Sequence, residues 1–312
     1  MKDYKIGVLL SAYNGEKYIA QQVQSIMNQN NVSNITLLIR NDGSTDHTSQ
    51  ILNELKEKYS NLIVIEGKNI GLTASFFALL DMAVKEYNFD YYSFCDQDDY
   101  WLEDKLERAV KFLQADNRNV PILYGCRSKV VNENLEPTGF LTQSQLQDIT
   151  FYNTAIQNIV IGHNQVLNKR MAQVLIEHKP DFEQIYSQDL WITNVAAVMG
   201  KIHFDNTAHT FYRMHGKNAL GYGKNRLDRL YGHLKRLRKN ESKKMAYQLS
   251  YFTKMFNDYL TSDEKNEMVL FFDSQVNLKK RFSYIKKTKL YRQENKENIL
   301  FKVLYLIGAY DI

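Results

Sequence analysis

YKIGVLLSAYNGEKYIAQQVQSIMNQ, residues 4–29, decides the fold. Its first seven residues, YKIGVLL, are of strand length and apolar after Lys5, and they read as a buried strand. SAYNG (11–15) is a turn, and EKYIAQQVQSIMNQ places Tyr18, Val23 and Ile26 near one face of an amphipathic helix. The same unit then recurs. ITLLIR (35–40) is a second strand, and NDGSTD (41–46) is a turn in which Thr45 or Asp46 caps the helix HTSQILNELKEKY. NLIVIEG is a third strand, and NIGLTASF leads into the helix ALLDMAVKEY. YYSFC is a fourth strand, followed by the helix WLEDKLERAVKFLQ. This alternation predicts an α/β fold, a Rossmann-like and mainly parallel sheet flanked by helices. Such sheets bind ligands beyond the carboxyl ends of their strands. SAYNG, NDGSTD, the Asn69–Gly71 turn and DQDD (96–99) all fall at that edge.

The rest of the chain bounds the reading. The chain has 312 residues, 44% of them hydrophobic, which suffices for a large domain with a smaller helical region. The two cysteines, Cys95 and Cys126, give neither a disulfide framework nor a CxxC metal pattern. The amino terminus does not read as a signal peptide, and no window of about 18 uninterrupted apolar residues predicts a spanning helix. Residues 1–215 hold 19 Lys and Arg against 25 Asp and Glu, while residues 216–312 hold 21 against 10. An acidic body with a basic tail divides into residues 1–220 and a basic helical region, 221–312.

SFCDQDDYWLEDK (93–105) concentrates Asp96, Asp98 and Asp99 at the end of the fourth strand. Three uses compete for such a cluster. One is a helix amino terminus, where Asp99 or Glu103 meets the helix dipole. The second is an acid–base carboxylate pair. The third is a divalent cation: Mg²⁺ and Mn²⁺ take oxygen ligands and bridge to phosphates. In an extended segment Asp96 and Asp98 point the same way, which suits one ion.

In this order and spacing, SAYNG, NDGSTD, NIGLTASF and DQDDYW resemble the family 2 glycosyltransferases of GT-A fold over about residues 4–220. The DQDDxW form is similar to bacterial rhamnosyltransferases that build cell-wall or capsular polysaccharide. The resemblance implies that Ser11, Ala12, Tyr13 and Asn14 cradle the nucleotide base and ribose, with Tyr13 against the base and Glu16 near the ribose. It implies that Asp42 accepts a pyrimidine N–H, that Asn69 and Gly71 lie near the nucleotide sugar, and that Gln97 belongs to the same site. Asp96 would contact ribose or metal, and Asp98 would bind Mn²⁺ or Mg²⁺ and thereby the diphosphate. Two bland alternatives stand beside these roles: Tyr13 as sheet-edge packing and Asp42-Gly43 as a turn pair.

SQDLW (187–191) supplies a carboxylate, Asp189, near the start of an apolar helix. The family places its catalytic base at such a point, although Gln188 replaces the usual preceding residue; a helix-start role is the alternative. TFYRMHGKNALG (210–221) resembles the family's R-x-H-x-x-N segment. There His215 would complete the metal shell, and Arg213 or Lys217 would neutralise the diphosphate. IGHNQVLN (161–168) departs from the family, since His163 and Asn164 stand where small residues near the sugar are usual. The implied reaction inverts the anomeric centre: an acceptor hydroxyl attacks, and Asp189 takes its proton.

The implied donor is dTDP-L-rhamnose or, as the runner-up, a UDP-hexose, and the acceptor is a glycan or lipid-linked saccharide. A non-catalytic sugar-nucleotide scaffold is the reading from another class. NRLDRLYGHLKRLRK (225–239), NLKKRFSYIKKTKLYR (277–292) and ILFKVLYLIGAY (299–310) interleave cations with apolar residues. They suggest a cytoplasmic enzyme lying on the anionic inner face of the cell membrane. A solvated helical face or a homodimer contact is the alternative. No motif supports nucleic-acid binding.

Overall fold

The computed structural model describes residues 4–32, 34–115, 119–215 and 240–312. The basic stretch 225–239 and Lys217 therefore lie outside the described residues. Contacts divide the chain into two compact units, and the division is not a single cut along the sequence. One unit holds the described residues of Met1–Gln143, Val160–Lys179 and Gly200–Asn218; the other holds those of Ser144–Ile159, Pro180–Met199 and Ala219–Ile312.

The first unit is built on a sheet in the order β3-β2-β1-β4-β8-β6-β9-β5, with β7 paired to β6. Its parallel half is the alternating region: β1 (Lys5–Ala12), β2 (Asn34–Asn41), β3 (Leu62–Glu66) and β4 (Tyr91–Cys95). Ile6, Val8, Leu9 and Leu10 are wholly buried, as the unbroken apolar run requires of a strand covered on both faces. Each such side chain contributes about 1.5–3 kcal/mol of transfer free energy. Helices α1 (Ile19–Met27), α2 (Thr48–Lys58) and α3 (Leu72–Glu86) connect these strands. At α2 the residue before the helix is His47, and Asp46 accepts the Thr48 N–H at 3.0 Å.

Beyond β4 the sheet is mixed. β6 (Ile122–Val131) runs parallel to β9 (Lys201–Arg213) and antiparallel to β7 (Pro137–Leu141) and β8 (Val166–Asn168). The helix expected from Trp101 begins later. Tyr100–Trp101 is a two-residue strand, β5, paired with Thr210 and Phe211, and α4 spans Lys105–Ala115. Pairing with a distant strand overrides the local helical pattern here. α6 (Lys169–Glu177) completes the unit, capped by Asn168, which accepts the Met171 N–H.

The second unit is helical: α5 (Phe151–Thr154), α7 (Gln188–Met199), α8 (Glu241–Met255), α9 (Ser262–Asp273), α10 (Leu278–Ile285) and α11 (Asn295–Leu306). Its aromatic core includes Trp191 packed edge-on against Phe252 and Phe256. Among the described residues no helix is long and apolar enough to cross a membrane.

Candidate active site

The carboxyl ends of β1, β2, β3 and β4 share one edge because the strands are parallel. The turns that follow are tied to one another by side chains. Ser11 and Ser75 share a hydroxyl hydrogen bond of 2.6 Å, and the Ala12 carbonyl accepts the Asp42 N–H at 2.7 Å. Asn14, in the left-handed region at φ 49°, accepts the Thr45 N–H at 2.8 Å. Glu16 accepts the His47 N–H and faces His47 Nδ1, which holds its carboxyl below the usual range. Tyr13 remains 46% exposed, the state a stacking platform requires.

Asp42 is 2% exposed, and its carboxylate is already engaged. It pairs with Arg40 and accepts the backbone N–H groups of Ile70 and Gly71, each at 3.0 Å. In this arrangement it orders the third turn. Gly71 has a φ of 84°, outside the ordinary range of other residues, and Asn69 belongs to the same exposed turn.

The carboxylate cluster is arranged differently from the extended D-x-D expected. The chain turns at Gln97 and Asp98, so alternation along a strand no longer applies. Asp96 and Asp99 instead group with His163, one ligand atom from each lying within 4.8 Å of the others. His163 Nδ1 is 3.3 Å from Asp99 Oδ2 and 3.8 Å from Asp96 Oδ2. Asp98 pairs with His215, whose Nε2 is 2.7 Å from its carboxylate. His215 also stacks on Tyr18.

Arg213 is 1% exposed rather than open to a ligand. Its guanidinium donates to the carbonyls of Asp98 and Glu133 and to Gln21 Oε1, and its N–H donates to Asp99 at 3.2 Å. It braces the carboxylate loop from behind.

The electrostatics follow from burial. Desolvation, then the charges of Asp98 and Asp96, push the Asp99 carboxyl well above its usual range. Burial, helped by the Lys105 charge, holds the His163 imidazole down at about 3. Asp99 Oδ2 and His163 Nδ1 are both buried without a hydrogen-bond partner. Two carboxyl groups and an imidazole, with Asp99 Oδ2 and His163 Nδ1 unpartnered, fit a divalent cation of the Mg²⁺ or Mn²⁺ type. Sequence reasoning had assigned Asp96, Asp98 and His215. Asp99 and His163 were missed as a pair, since nothing in their spacing brings them together.

Asp189 belongs to the second unit, in the first turn of α7. Its Oδ1 accepts the Ser187 hydroxyl and the Leu190 N–H, the latter at 2.9 Å.

Residues 8–175 match the family described as glycosyl transferase family 2. The chain belongs to that family. This glycosyltransferase is 29% identical over 223 residues to the dTDP-rhamnosyl transferase RfbG of Shigella flexneri, covering 68% of this chain and 73% of that one. It is 24% identical over 214 residues to WfaP of Escherichia coli, a UDP-Glc:alpha-D-GlcNAc-diphosphoundecaprenol beta-1,3-glucosyltransferase, covering 67% and 77%. Its GT-A fold is shared with S. aureus TarS 1–349 in complex with UDP-GlcNAc, at a TM-score of 0.58 and 18% identity, covering 98% of this chain and 89% of that one. The mannosyltransferase PcManGT from Pyrobaculum calidifontis, in complex with GDP-Man and Mn²⁺, matches at 0.58 and 15%, covering 99% and 86%.

Proposed function

We propose that this glycosyltransferase is a divalent-cation-dependent, inverting enzyme of bacterial surface polysaccharide synthesis, with dTDP-L-rhamnose as donor and a glycan or lipid-linked saccharide as acceptor. The observation that carries the reading is the Asp96, Asp99 and His163 cluster following β4, beside the turns that read as a nucleotide cradle. When bound, the cation neutralises the diphosphate as it leaves. The chain's own residues do the rest. Tyr13 offers a face to the base, the ordered turns of Ser11–Asn14 and Asn69–Gly71 receive the nucleoside, and Arg213 keeps the carboxylate loop in place. Asp189 takes the proton of the attacking hydroxyl, a role its Ser187 and Leu190 contacts support by fixing one carboxylate oxygen.

The rhamnosyl donor is favoured by the DQDDYW motif and by the likeness to RfbG. A UDP-hexose is the second reading, favoured by the likeness to WfaP. Peripheral attachment at the inner membrane face belongs to the same proposal. Its support is the exposed Leu278, Phe282, Ile299, Val303 and Ile307 among exposed lysines on α10, on α11 and beside them.

The test is thermal stability of the full chain against dTDP, UDP, GDP and ADP, with Mn²⁺, Mg²⁺ or EDTA, followed by product analysis with the matching sugar nucleotides. A metal-dependent shift largest with dTDP, and rhamnosyl transfer, is expected. Saturating ligand at about a hundredfold over Kd stabilises by about 2.7 kcal/mol. A shift with UDP alone transfers the assignment to a hexosyltransferase. No shift with any nucleotide, in a folded protein, makes the scaffold reading the better one.

A further inference from the structure

Lys244, Gln248, Tyr251 and Phe252 form one stripe of α8, and the segment that leads to Asp189 lies along it. The Tyr251 hydroxyl accepts the Asp181 N–H at 3.0 Å. Lys244 Nζ lies 5.8 Å from the centre of the Tyr186 ring. Trp191 stacks on Tyr251 and meets Phe252 edge-on. The segment is thus held at its start, at its middle and inside the first turn of α7.

Gln248, wholly buried, grips the middle. Its Oε1 accepts the N–H groups of Tyr186 and Ser187, each at 2.8 Å, and its Nε2 donates to the Ser187 carbonyl at 3.1 Å. Only one orientation of the amide works, since the reverse sets its NH2 against two N–H groups. The same Ser187 carbonyl accepts the Trp191 N–H at 3.1 Å. Both backbone groups of Ser187 are therefore fixed, and χ1 alone decides where its hydroxyl oxygen lies. That hydroxyl donates to Asp189 Oδ1. A chain of contacts runs from α8 through Gln248 and Ser187 to the carboxylate.

We propose that Gln248 is a positioning residue for sugar transfer: it fixes Ser187, and Ser187 aims Asp189 at the acceptor hydroxyl. The inference rests on the reading of Asp189 as the base. It makes α8, a helix of the basic carboxyl-terminal region, part of the catalytic apparatus. Gln248 acts only through Ser187 and Asp189, and a displacement of the base by about 1 Å is enough to cost about 10²-fold in rate.

The test compares the full chain with Gln248→Met, Ser187→Ala and Asp189→Asn, and combines Asp189→Asn with each of the other two. Turnover is read as nucleoside diphosphate released from dTDP-rhamnose or UDP-glucose, with a bacterial membrane lipid extract supplying the acceptor. Affinity for dTDP and UDP is read by calorimetry. Gln248→Met and Ser187→Ala are each expected to lower kcat about 10- to 100-fold, with donor KM and nucleotide affinity unchanged. In the Asp189→Asn background neither is expected to lower turnover further, because the group they aim has lost its function. A role confined to folding would lower turnover in both backgrounds alike. Unchanged kcat in folded Gln248→Met overturns the inference, and so does an equal loss in the Asp189→Asn background. Should Gln248→Met not fold, Ser187→Ala decides, since unchanged kcat there breaks the path from Gln248 to Asp189. Wild-type turnover in Asp189→Asn removes the base reading itself, and this inference with it. Release from neither donor by the folded wild type removes the proposed donors and, with them, the inference.

Discussion

Gln97 brackets the backbone of Tyr13. Its Oε1 accepts the Tyr13 N–H at 2.9 Å, and its Nε2 donates to the Tyr13 carbonyl at 3.0 Å. The middle residue of D-Q-D thus ties the carboxylate loop to the first turn. The fit is close: a Cβ on Gly15 would lie 2.4 Å from Gln97 Oε1. Gln97→Glu keeps the acceptor but sets a second oxygen against the carbonyl. Two hydrogen bonds of about 0.5–1.5 kcal/mol each are at stake. Nucleoside diphosphate affinity, measured by calorimetry, is expected to fall about tenfold in Gln97→Glu and in Gln97→Ala. Unchanged affinity in both would show that the bracket does not position Tyr13 for the base.

The Arg40–Asp42 pair predicts a stability effect. Arg40 also reaches Ser75 Oγ and the Lys68 carbonyl, so it links the second turn to the third. Removing one member of a buried pair leaves an uncompensated charge and costs about 3–5 kcal/mol. Arg40→Met is expected to lower the unfolding free energy, measured by urea titration, by that amount, with the Ile70–Gly71 turn loosened. A loss below about 1 kcal/mol would mean the pair behaves like a surface ion pair.

The parallel half of the sheet was legible because each strand is a mainly apolar run followed by a polar turn. YYSFC is β4 residue for residue. What failed was local extrapolation. Tyr100–Trp101 carries a helical pattern but pairs with β9, a partner that no window around it contains. The chain turns at Gln97 and Asp98, so the strand alternation used for Asp96 and Asp98 does not apply there. Arg213 and His215 do reach the same residue, Asp98, as their alternation at the end of β9 suggests. That Asp42 is engaged by Arg40, two residues earlier, has no sequence signal beyond proximity.

Asp189→Asn separates an enzyme from a binder. The amide keeps an oxygen to accept the Ser187 hydroxyl and the Leu190 N–H, so α7 is expected to start unchanged. It cannot take a proton. Turnover is expected to fall about 10²- to 10⁴-fold with nucleotide affinity intact. Turnover equal to wild type would remove Asp189 as the base.

Leu278 and Phe282 lie one helical turn apart on α10, 65% and 51% exposed, with Lys286 placed over the Phe282 ring. If this face meets an anionic bilayer, the double variant Leu278→Glu, Phe282→Glu loses cosedimentation with phosphatidylglycerol vesicles and keeps its melting temperature. Retained vesicle binding at equal salt would assign membrane contact elsewhere or nowhere.

Lys105 is a buried cation that touches no solvent. Its Nζ lies 3.5 Å from the centre of the Trp101 ring and 3.2 Å from Ser93 Oγ. Burial lowers its ammonium from 10.5 to about 8, an effect that Cys126, Cys95 and Asp99 only partly offset. The sign follows from proton counts. Between pH 8 and 10.5 the unfolded chain holds this proton and the folded chain has released it, so stability contributed by this group rises with pH across that window. Below pH 8 both states are protonated, and the folded state carries the full penalty, no more than about 3 kcal/mol. Lys105→Met is therefore expected to be the more stable protein at pH 7, with its advantage shrinking as pH rises from 8 to 10.5. Denaturant midpoints of both proteins across that range decide it. A constant difference would mean that the folded and unfolded chains bind this proton equally well, and that Trp101 and Ser93 compensate the buried charge in full.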